Sequence, residues 1–316
     1  MPQPSASAPP KTSAVPPPRT WRERLFRPRI LILLAGLSTL PVLGPWLVRQ
    51  LPNLEERPEY RLPFAHLQLE PPAPGDLPAD FLEQVRQRGN LDVELSVLSP
   101  ELPRKLAEAF SKHPWIEQVV SVRNVFPASV TVELKYRRPV ALIQVAEGFY
   151  AVDAQGVLLP PTDFRHDAAD RYIPVTGIAT KPRGSAGRSW GDPAVAGAAR
   201  LAEFLGVRWK TLGLAEIVAP EAVDIKEGSA DLIYELRAAG GSRILWGRIP
   251  GSTHPGELSA NQKLGRLEKY LAEFGSFDKP QGPYEIDIRH WQEISRRSLV
   301  DPHANTARGN HAGMQR

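Results

Sequence analysis

One uncharged, apolar segment near the start of the chain constrains everything that follows it. Residues 30–48, ILILLAGLSTLPVLGPWLV, carry no charge over 19 positions, and 11 of the 19 are Leu, Ile or Val. A helix of this length matches a hydrocarbon core of roughly 30 Å. Pro41 and Pro45 are compatible with a spanning helix, because neighbouring groups can satisfy the carbonyls that a proline frees. The segment is therefore predicted to cross a membrane once.

A cleaved signal peptide and a buried core helix are the alternatives to a retained anchor. A signal peptide has a shorter apolar run followed by small residues, whereas this run ends in WLVR. Residues 1–29 hold eight prolines and six Lys or Arg against one acid, Glu23, which predicts a disordered basic tail. Because the basic residues precede the apolar run, the N-terminus is expected in the cytoplasm and the remainder across the membrane.

Composition excludes several kinds of chemistry. The 316 residues include no cysteine, which excludes disulfides, thiolate nucleophiles and cysteine-based zinc sites. The net charge of +4 comes largely from the tail, so nucleic-acid binding is not expected. No cofactor or metal is predicted.

Residues 60–138 are predicted to form a compact α+β unit. Period-2 alternation places Val120 and Val122, and then Val130, Val132 and Leu134, on the buried faces of two strands joined as an antiparallel hairpin. Apolar spacing and prolines at helix starts add further elements before the hairpin. These are strands at 60–69 and 91–98 and helices at 78–88 and 102–110.

After Pro139 the pattern becomes mostly β. A strand and a hairpin are predicted over 141–159, turning at 153–156, and Asp192 with Pro193 predicts the start of a helix that runs to Leu205. A second helix is predicted at 259–274. Further strands are predicted at 215–218, 222–225, 232–237, 243–246 and 283–288. Residues 139–296 are therefore predicted to be a second domain, a mixed, mostly antiparallel β domain with flanking helices. Residues 297–316 are predicted to be a disordered polar tail.

Catalytic motifs are almost absent. The sequence GRSWG at 187–191 fits the G-x-S-x-G pattern around Ser189, but a nucleophile turn needs an apolar strand before it, and ATKPRGSA has the composition of a loop. His254 and Glu257 have a loose metal-ligand spacing within a turn-rich segment that offers no third ligand. The basic run at 135–138 either blunts a strand edge or meets an anionic partner. A membrane-anchored hydrolase rests on Ser189 alone, and the chain is predicted not to be an enzyme.

The order of elements and several motifs resemble the bacterial cell-division family FtsQ/DivIB. The most specific motifs are PWI at 114–116, VSVRNVFP at 120–127 and VTVEL with the following Arg137 and PVA at 139–141. They look like the end of the family's POTRA domain, which the resemblance implies to be a small βααββ-like unit. YAVDAQGVLL, IPVTG, ILWG and YEIDIR are similar to later family segments. Tyr136 departs from the family pattern, which usually has an acid there, and LDVELSVL looks like an addition.

The resemblance implies a non-enzymatic scaffold of the divisome in the cell inner membrane, with periplasmic POTRA and β domains. Such a scaffold gathers FtsB- and FtsL-type proteins and helps to control septal peptidoglycan synthesis. The strand at 283–294 is expected to leave a sheet edge unpaired, and the resemblance implies that partner binding falls on Tyr284, Ile286, Ile288, His290, Trp291 and Gln292. A POTRA-containing component of outer-membrane biogenesis or secretion is the alternative.

Overall fold

The computed structural model describes residues 57–125, 128–164, 170–220 and 232–299. Contacts divide the chain into Met1–Arg57 and Pro58–Arg316, and all of the first unit except Arg57 lies outside the described residues. The predicted tail at 1–29 and the predicted spanning helix at 30–48 therefore fall outside them as well. Among the helices that are described, none is both long enough and apolar enough to cross a membrane.

Two helices and a three-stranded sheet form the first part of the described chain. The elements are β1 (Arg61–Pro63), β2 (Gln68–Glu70), α1 (Phe81–Gly89), β3 (Glu94–Ser96), α2 (Leu102–Ser111), β4 (Ile116–Val125) and β5 (Ser129–Tyr136). β5 is central, parallel to β2 and antiparallel to β4. Apart from β1 and β3, this is the βααββ order that the resemblance implies for residues 60–138.

The apolar spacing that predicts this part is buried where expected, with one exception. Leu106 on α2 and Val130 and Val132 on β5 are fully buried, which confirms the helix and the second arm of the hairpin. The exception is Val120 on β4, which is 52% exposed. The β4–β5 register shifts between Val119 and Ser121, which leaves Val120 as the unpaired residue of a bulge. Val119 and Val122 on either side of it pack against the core instead.

The predicted strand at 60–69 consists of two short strands. Pro63, which has no N–H to extend a ladder, is the last residue of β1, and a 3-10 turn at Phe64–His66 separates β1 from β2. β1 pairs antiparallel with β3. Residues Glu94–Ser96 of the LDVELSVL segment therefore form a separate two-stranded sheet with the first described strand.

A large mixed sheet forms the second part. Its strands are β6 (Pro139–Val145), β7 (Gly148–Asp153), β8 (Ile173–Thr176), β9 (Leu214–Val218), β10 (Tyr234–Ala238), β11 (Arg243–Gly247), β12 (Tyr284–Asp287) and β13 (Ser295–Ser298). Their spatial order is β13-β12-β11-β10-β9-β8-β6-β7. Of the pairings between these described strands, β6–β8, β8–β9 and β11–β12 are parallel and the others antiparallel. The protein is thus α+β, with one large mixed sheet.

Helices α3 (Pro193–Leu205), α4 (Arg208–Thr211) and α5 (Ala260–Phe274) accompany this sheet. The Asp192 side chain caps α3 by accepting a hydrogen bond from the Ala194 N–H at 2.8 Å, as the Asp-Pro pair predicts. Ser259 and Gln262 form a reciprocal capping box at the start of α5. The strand predicted at 222–225 lies outside the described residues.

Strand β6 is buried on both faces, so it links two hydrophobic cores. Ala141 and Ile143 belong to the core of the large sheet and its helices, whereas Leu142 packs with the first part of the chain. Three consecutive apolar residues are therefore needed here, in place of simple alternation.

The structure corrects the prediction that 283–294 is the last ladder strand with an open edge. β13 pairs antiparallel with β12, so that Tyr284 lies opposite Ser298 and Asp287 opposite Ser295. β7 is outermost at the other end of the sheet, and at this end the open edge belongs to β13, beyond which no described strand lies. Arg297 and Ser298 consequently belong to the sheet, although the sequence assigns 297–316 to a disordered tail.

Candidate functional site

The end of β12 is fixed by an ion pair two residues apart in sequence. The Arg289 side chain donates to both carboxylate oxygens of Asp287, with Nε–Oδ1 at 2.9 Å and Nη2–Oδ2 at 2.7 Å, and the Arg289 backbone N–H donates to Oδ1 at 2.9 Å. Burial raises the pKa of the Asp287 carboxyl, but the Arg289 hydrogen bonds outweigh burial and hold this pKa below its ordinary value. These hydrogen bonds therefore fix the backbone at the point where the chain leaves the sheet.

The connection from β12 to β13 is held against α5 by one guanidinium group. Arg266 Nη2 donates to the Trp291 carbonyl at 2.6 Å, and Nη1 donates to the Glu293 and Ile288 carbonyls at 2.9 and 3.3 Å. Charge-assisted hydrogen bonds to backbone carbonyls restrain a loop more strongly than neutral ones do. The loop at 288–294 thus has a fixed shape.

The six residues predicted to bind a partner divide into two groups. Tyr284, Ile286 and Ile288 are buried, the last two completely, and their side chains belong to the core of the large sheet. His290, Trp291 and Gln292 lie on the surface of the loop, and the Trp291 side chain is 74% exposed. Only the second group can contact another molecule through side chains.

Strand β13 is polar throughout and covers the edge of the core with one arginine. The Arg296 guanidinium lies 4.6 Å from the ring centre of Phe274 and 4.7 Å from that of Tyr284. A groove of about 590 Å³ separates α5 from the chain leading into β13. Its lining includes Arg266, Lys269, Tyr270, Gln292, Ile294 and Arg296.

The backbone of β13 presents hydrogen-bonding groups outward at alternate residues. The Leu299 N–H donates to the Pro283 carbonyl at 2.9 Å, and with the observed register the same pattern directs the N–H and C=O of Arg297 toward β12. The N–H and C=O of Arg296 then point away from β12. An incoming strand could pair with them by strand addition.

Neither Ser189 nor the pair of His254 and Glu257 has the geometry that its motif would require. Ser189 lies in a loop and is exposed, and its Oγ accepts a hydrogen bond from the Gly191 N–H at 3.3 Å. No strand leads into this turn, which a nucleophile elbow requires. Within the described residues no cluster of His, Asp and Glu could hold a metal ion.

Glu257 instead belongs to a buried ion-pair cluster. It accepts hydrogen bonds from the Lys263 ammonium and from the Arg248 backbone and side chain. Lys263 is 1% exposed and lies 5.2 Å from the ring centre of Trp246. Burial lowers the pKa of the Lys263 ammonium. His254 is exposed on the surface.

The basic run at 135–138 is partly structural. Arg137 forms an ion pair with Asp153 at 2.6 Å, and both side chains are largely buried. Tyr136 is also buried, which raises the pKa of its hydroxyl to about 12. Two of the four residues therefore face the protein interior.

Three arginines of the site could not be predicted from the sequence. Arg266, Arg296 and Arg297 lie on α5 and β13, and SRRS has neither alternation nor β-branched residues to mark it as a strand. The available signal is that exposed edge strands carry charges. That signal alone does not distinguish an edge strand from a polar tail.

The fold and this edge define a class of α+β protein, in which a βααββ unit precedes a mixed sheet that ends in a polar strand beside an exposed aromatic loop. No family model matches the chain. A curated protein, Cell division protein FtsQ of Anaeromyxobacter sp. (strain K), is 30% identical over 167 residues, covering 53% of this chain and 50% of that protein. The chain spans about half the length of the curated relative that it matches. The match supports the resemblance to the FtsQ/DivIB family.

Proposed function

We propose that this protein is a single-pass scaffold of the bacterial divisome and docks FtsB-type partners at the edge of its large sheet. The observation that carries the docking proposal is the outward-facing backbone of β13 beside the exposed Trp291. Main-chain hydrogen bonds to the edge would supply affinity, and the aromatic side chain would supply an anchor. The likeness to a protein named for cell division supports the cellular process.

The proposed placement is the cell inner membrane, with the N-terminus in the cytoplasm and the described residues in the periplasm. The charge asymmetry around residues 30–48 supports this orientation. In this position the sheet edge would meet the extramembrane parts of FtsB- and FtsL-type proteins. By gathering them, the scaffold would help to control septal peptidoglycan synthesis, without itself catalysing a reaction.

The structure suggests a substitution that acts on the edge and spares the core. Arg296→Pro removes an N–H that points away from β12, and proline is compatible with an edge strand whose N–H faces outward. Arg296→Ala is the matched control, because it also loses the contacts with Phe274 and Tyr284 but keeps the N–H. Ile288→Pro would be a poorer test, since Ile288 is completely buried.

We expect the purified full-length protein to bind an FtsB-type protein at least about tenfold more weakly after Arg296→Pro than after Arg296→Ala, because a backbone hydrogen bond is lost and the ring obstructs pairing. Isothermal titration calorimetry measures the difference, and circular dichroism checks that both variants are folded. Equal affinity of the two folded variants would contradict docking at β13.

A component of outer-membrane biogenesis or secretion is the second candidate. It predicts that loss of the protein impairs the assembly or export of outer-membrane proteins and leaves division intact. The cell-division name of the relative favours the divisome role.

A further inference from the structure

Charges alternate in sign across four neighbouring strands on the face of the large sheet opposite α5. The residues are Glu235 on β10, Arg243 on β11, Glu285 on β12 and Arg297 on β13, which together are called the charge ladder. Successive members are joined by N–O distances of 2.8 Å for Arg243–Glu235, 3.8 Å for Arg243–Glu285 and 3.0 Å for Arg297–Glu285.

The last three members of the charge ladder follow the strand register, whereas Glu235 faces Leu245 and reaches Arg243 diagonally across the β10–β11 pair. Arg243 lies opposite Glu285 across the parallel β11–β12 pair, and Glu285 lies opposite Arg297 across the antiparallel β12–β13 pair. Opposite charges at facing positions stabilise strand pairing, and like charges at facing positions destabilise it. The two interior members, Arg243 and Glu285, each contact an opposite charge on both sides.

Arg297 is the terminal member and differs from the interior members. It has Glu285 on one side, and on the other side no described strand. Its side chain is 74% exposed, compared with 41% for Arg243 and 22% for Glu285. The alternation of charges therefore ends at Arg297, and an anion could contact this guanidinium from the open side of β13.

The backbone geometry makes the open side of Arg297 a close-contact position. Because the N–H and C=O of Arg297 point toward β12, an antiparallel strand added to β13 would face Arg297 as a non-hydrogen-bonded pair. Facing side chains are closest at such positions. A carboxylate there would extend the alternation by one strand.

We propose that β13 selects an extended peptide segment with Asp or Glu opposite Arg297, so that Arg297 determines the specificity of the edge. The inference rests on the proposed docking function and adds the chemistry of the occupant. A second copy of this chain is disfavoured, because pairing two β13 strands would bring arginines of both copies into neighbouring positions.

The test begins with a displayed library of linear eight-residue peptides. In each peptide, every second position is Val, Ile, Thr, Tyr or Phe, and the remaining positions are fully randomised. Binders are selected on the purified full-length protein. We expect peptides whose binding is lost in Arg296→Pro to carry Asp or Glu at one shared position. Changing that acid to Lys should weaken binding to the parent by about two- to fivefold, as for a partly exposed ion pair.

Charge reversal of Arg297 provides the decisive comparison. Arg297→Glu should favour the Lys peptide over the acidic one, and Arg297→Gln, which places no second anion beside Glu285, should bind both peptides alike. Lys181→Glu is the matched control, since Lys181 is 73% exposed and also paired with a glutamate, Glu147. It should leave the peptide preference unchanged.

Two outcomes would overturn the inference, and they differ in what else they affect. In the first outcome, the peptides that bind the edge show no preference for an acid, or the Arg297→Gln variant still prefers the acidic peptide. Either result would refute selection by Arg297 and leave docking at β13 intact. If no selected peptide depends on the edge, in the sense of losing binding in Arg296→Pro, both the inference and the docking proposal fail.

Discussion

At the residue scale, His113 is held in the neutral form by its surroundings. It is 2% exposed and lies against Phe81 with ring centres 4.7 Å apart. Its Nδ1 accepts a hydrogen bond from the Trp115 N–H at 3.4 Å, and its Nε2 lies 3.3 Å from the Gln84 side-chain oxygen. A proton on Nδ1 would oppose the Trp115 N–H. Burial, the main cause, and the nearby Arg88 charge lower the pKa of His113 to about 4.

This depressed pKa predicts a loss of stability in weak acid. The unfolded chain takes up the proton near pH 6.5 and the folded chain only near pH 4, so the stability that His113 contributes is present above pH 6.5 and falls as the pH drops toward 4. Between pH 7 and pH 5 the free energy of unfolding should fall by about 2 kcal/mol from this group. Urea denaturation of the full-length protein at several pH values measures the fall.

His113→Phe should reduce the pH dependence between 7 and 5, whatever its effect on overall stability. His254→Asn is the control, because His254 is exposed. An unchanged slope in His113→Phe would show that His113 does not cause the acid sensitivity. Four described carboxyl groups have a lowered pKa and take up protons in more acidic solution: Glu83, Glu147, Glu257 and Asp287.

At the scale of elements, the sequence predicts those that carry a strong apolar period. The helix at α2, the second arm of the β4–β5 hairpin and the capped starts of α3 and α5 all follow from spacing and capping residues. The β4 bulge and β13 do not, because a bulge comes from pairing with the neighbouring strand and β13 buries no apolar face. Their positions depend on tertiary contacts that no local pattern contains.

Arg266 should control the mobility of the β12–β13 connection. Arg266→Met removes hydrogen bonds to the carbonyls of Ile288, Trp291 and Glu293. Hydrogen bonds to charged groups contribute about 1.5–3 kcal/mol, so amides at 289–294 should exchange with deuterium at least about tenfold faster. Hydrogen-exchange mass spectrometry measures this rate.

Lys269→Met is the matched control, because Lys269 lines the same groove one turn further along α5. It should leave exchange in the connection unchanged. Exchange within α2, in the first part of the chain, should be the same in both variants. Unaltered exchange at 289–294 in Arg266→Met would mean that the arginine does not fix the loop.

At the scale of the whole molecule, two hydrophobic cores meet at β6 and a mixed sheet extends to the polar edge at β13. Apart from β8, α4 and β13, the order of the described elements can be predicted from the sequence. The neighbourhood of the candidate site can be predicted as well, since Trp291 and its loop follow the YEIDIR motif. The edge itself cannot, because which strand is outermost depends on how strands distant in sequence are ordered. The sequence places the interface at 283–288 and at 290–292. The structure leads us to propose 295–298 in place of 283–288, together with the exposed loop at 290–292.

The central claim is that the protein acts in division through its β13 edge, and depletion in the source bacterium tests it most directly. Cells depleted of the protein should grow into filaments, because septal synthesis lacks its scaffold. The parent protein and Arg296→Ala should restore septa, whereas Arg296→Pro, present in the membrane at the same level, should leave filaments. Normal division in depleted cells would contradict the divisome role, and full rescue by Arg296→Pro would contradict docking through β13.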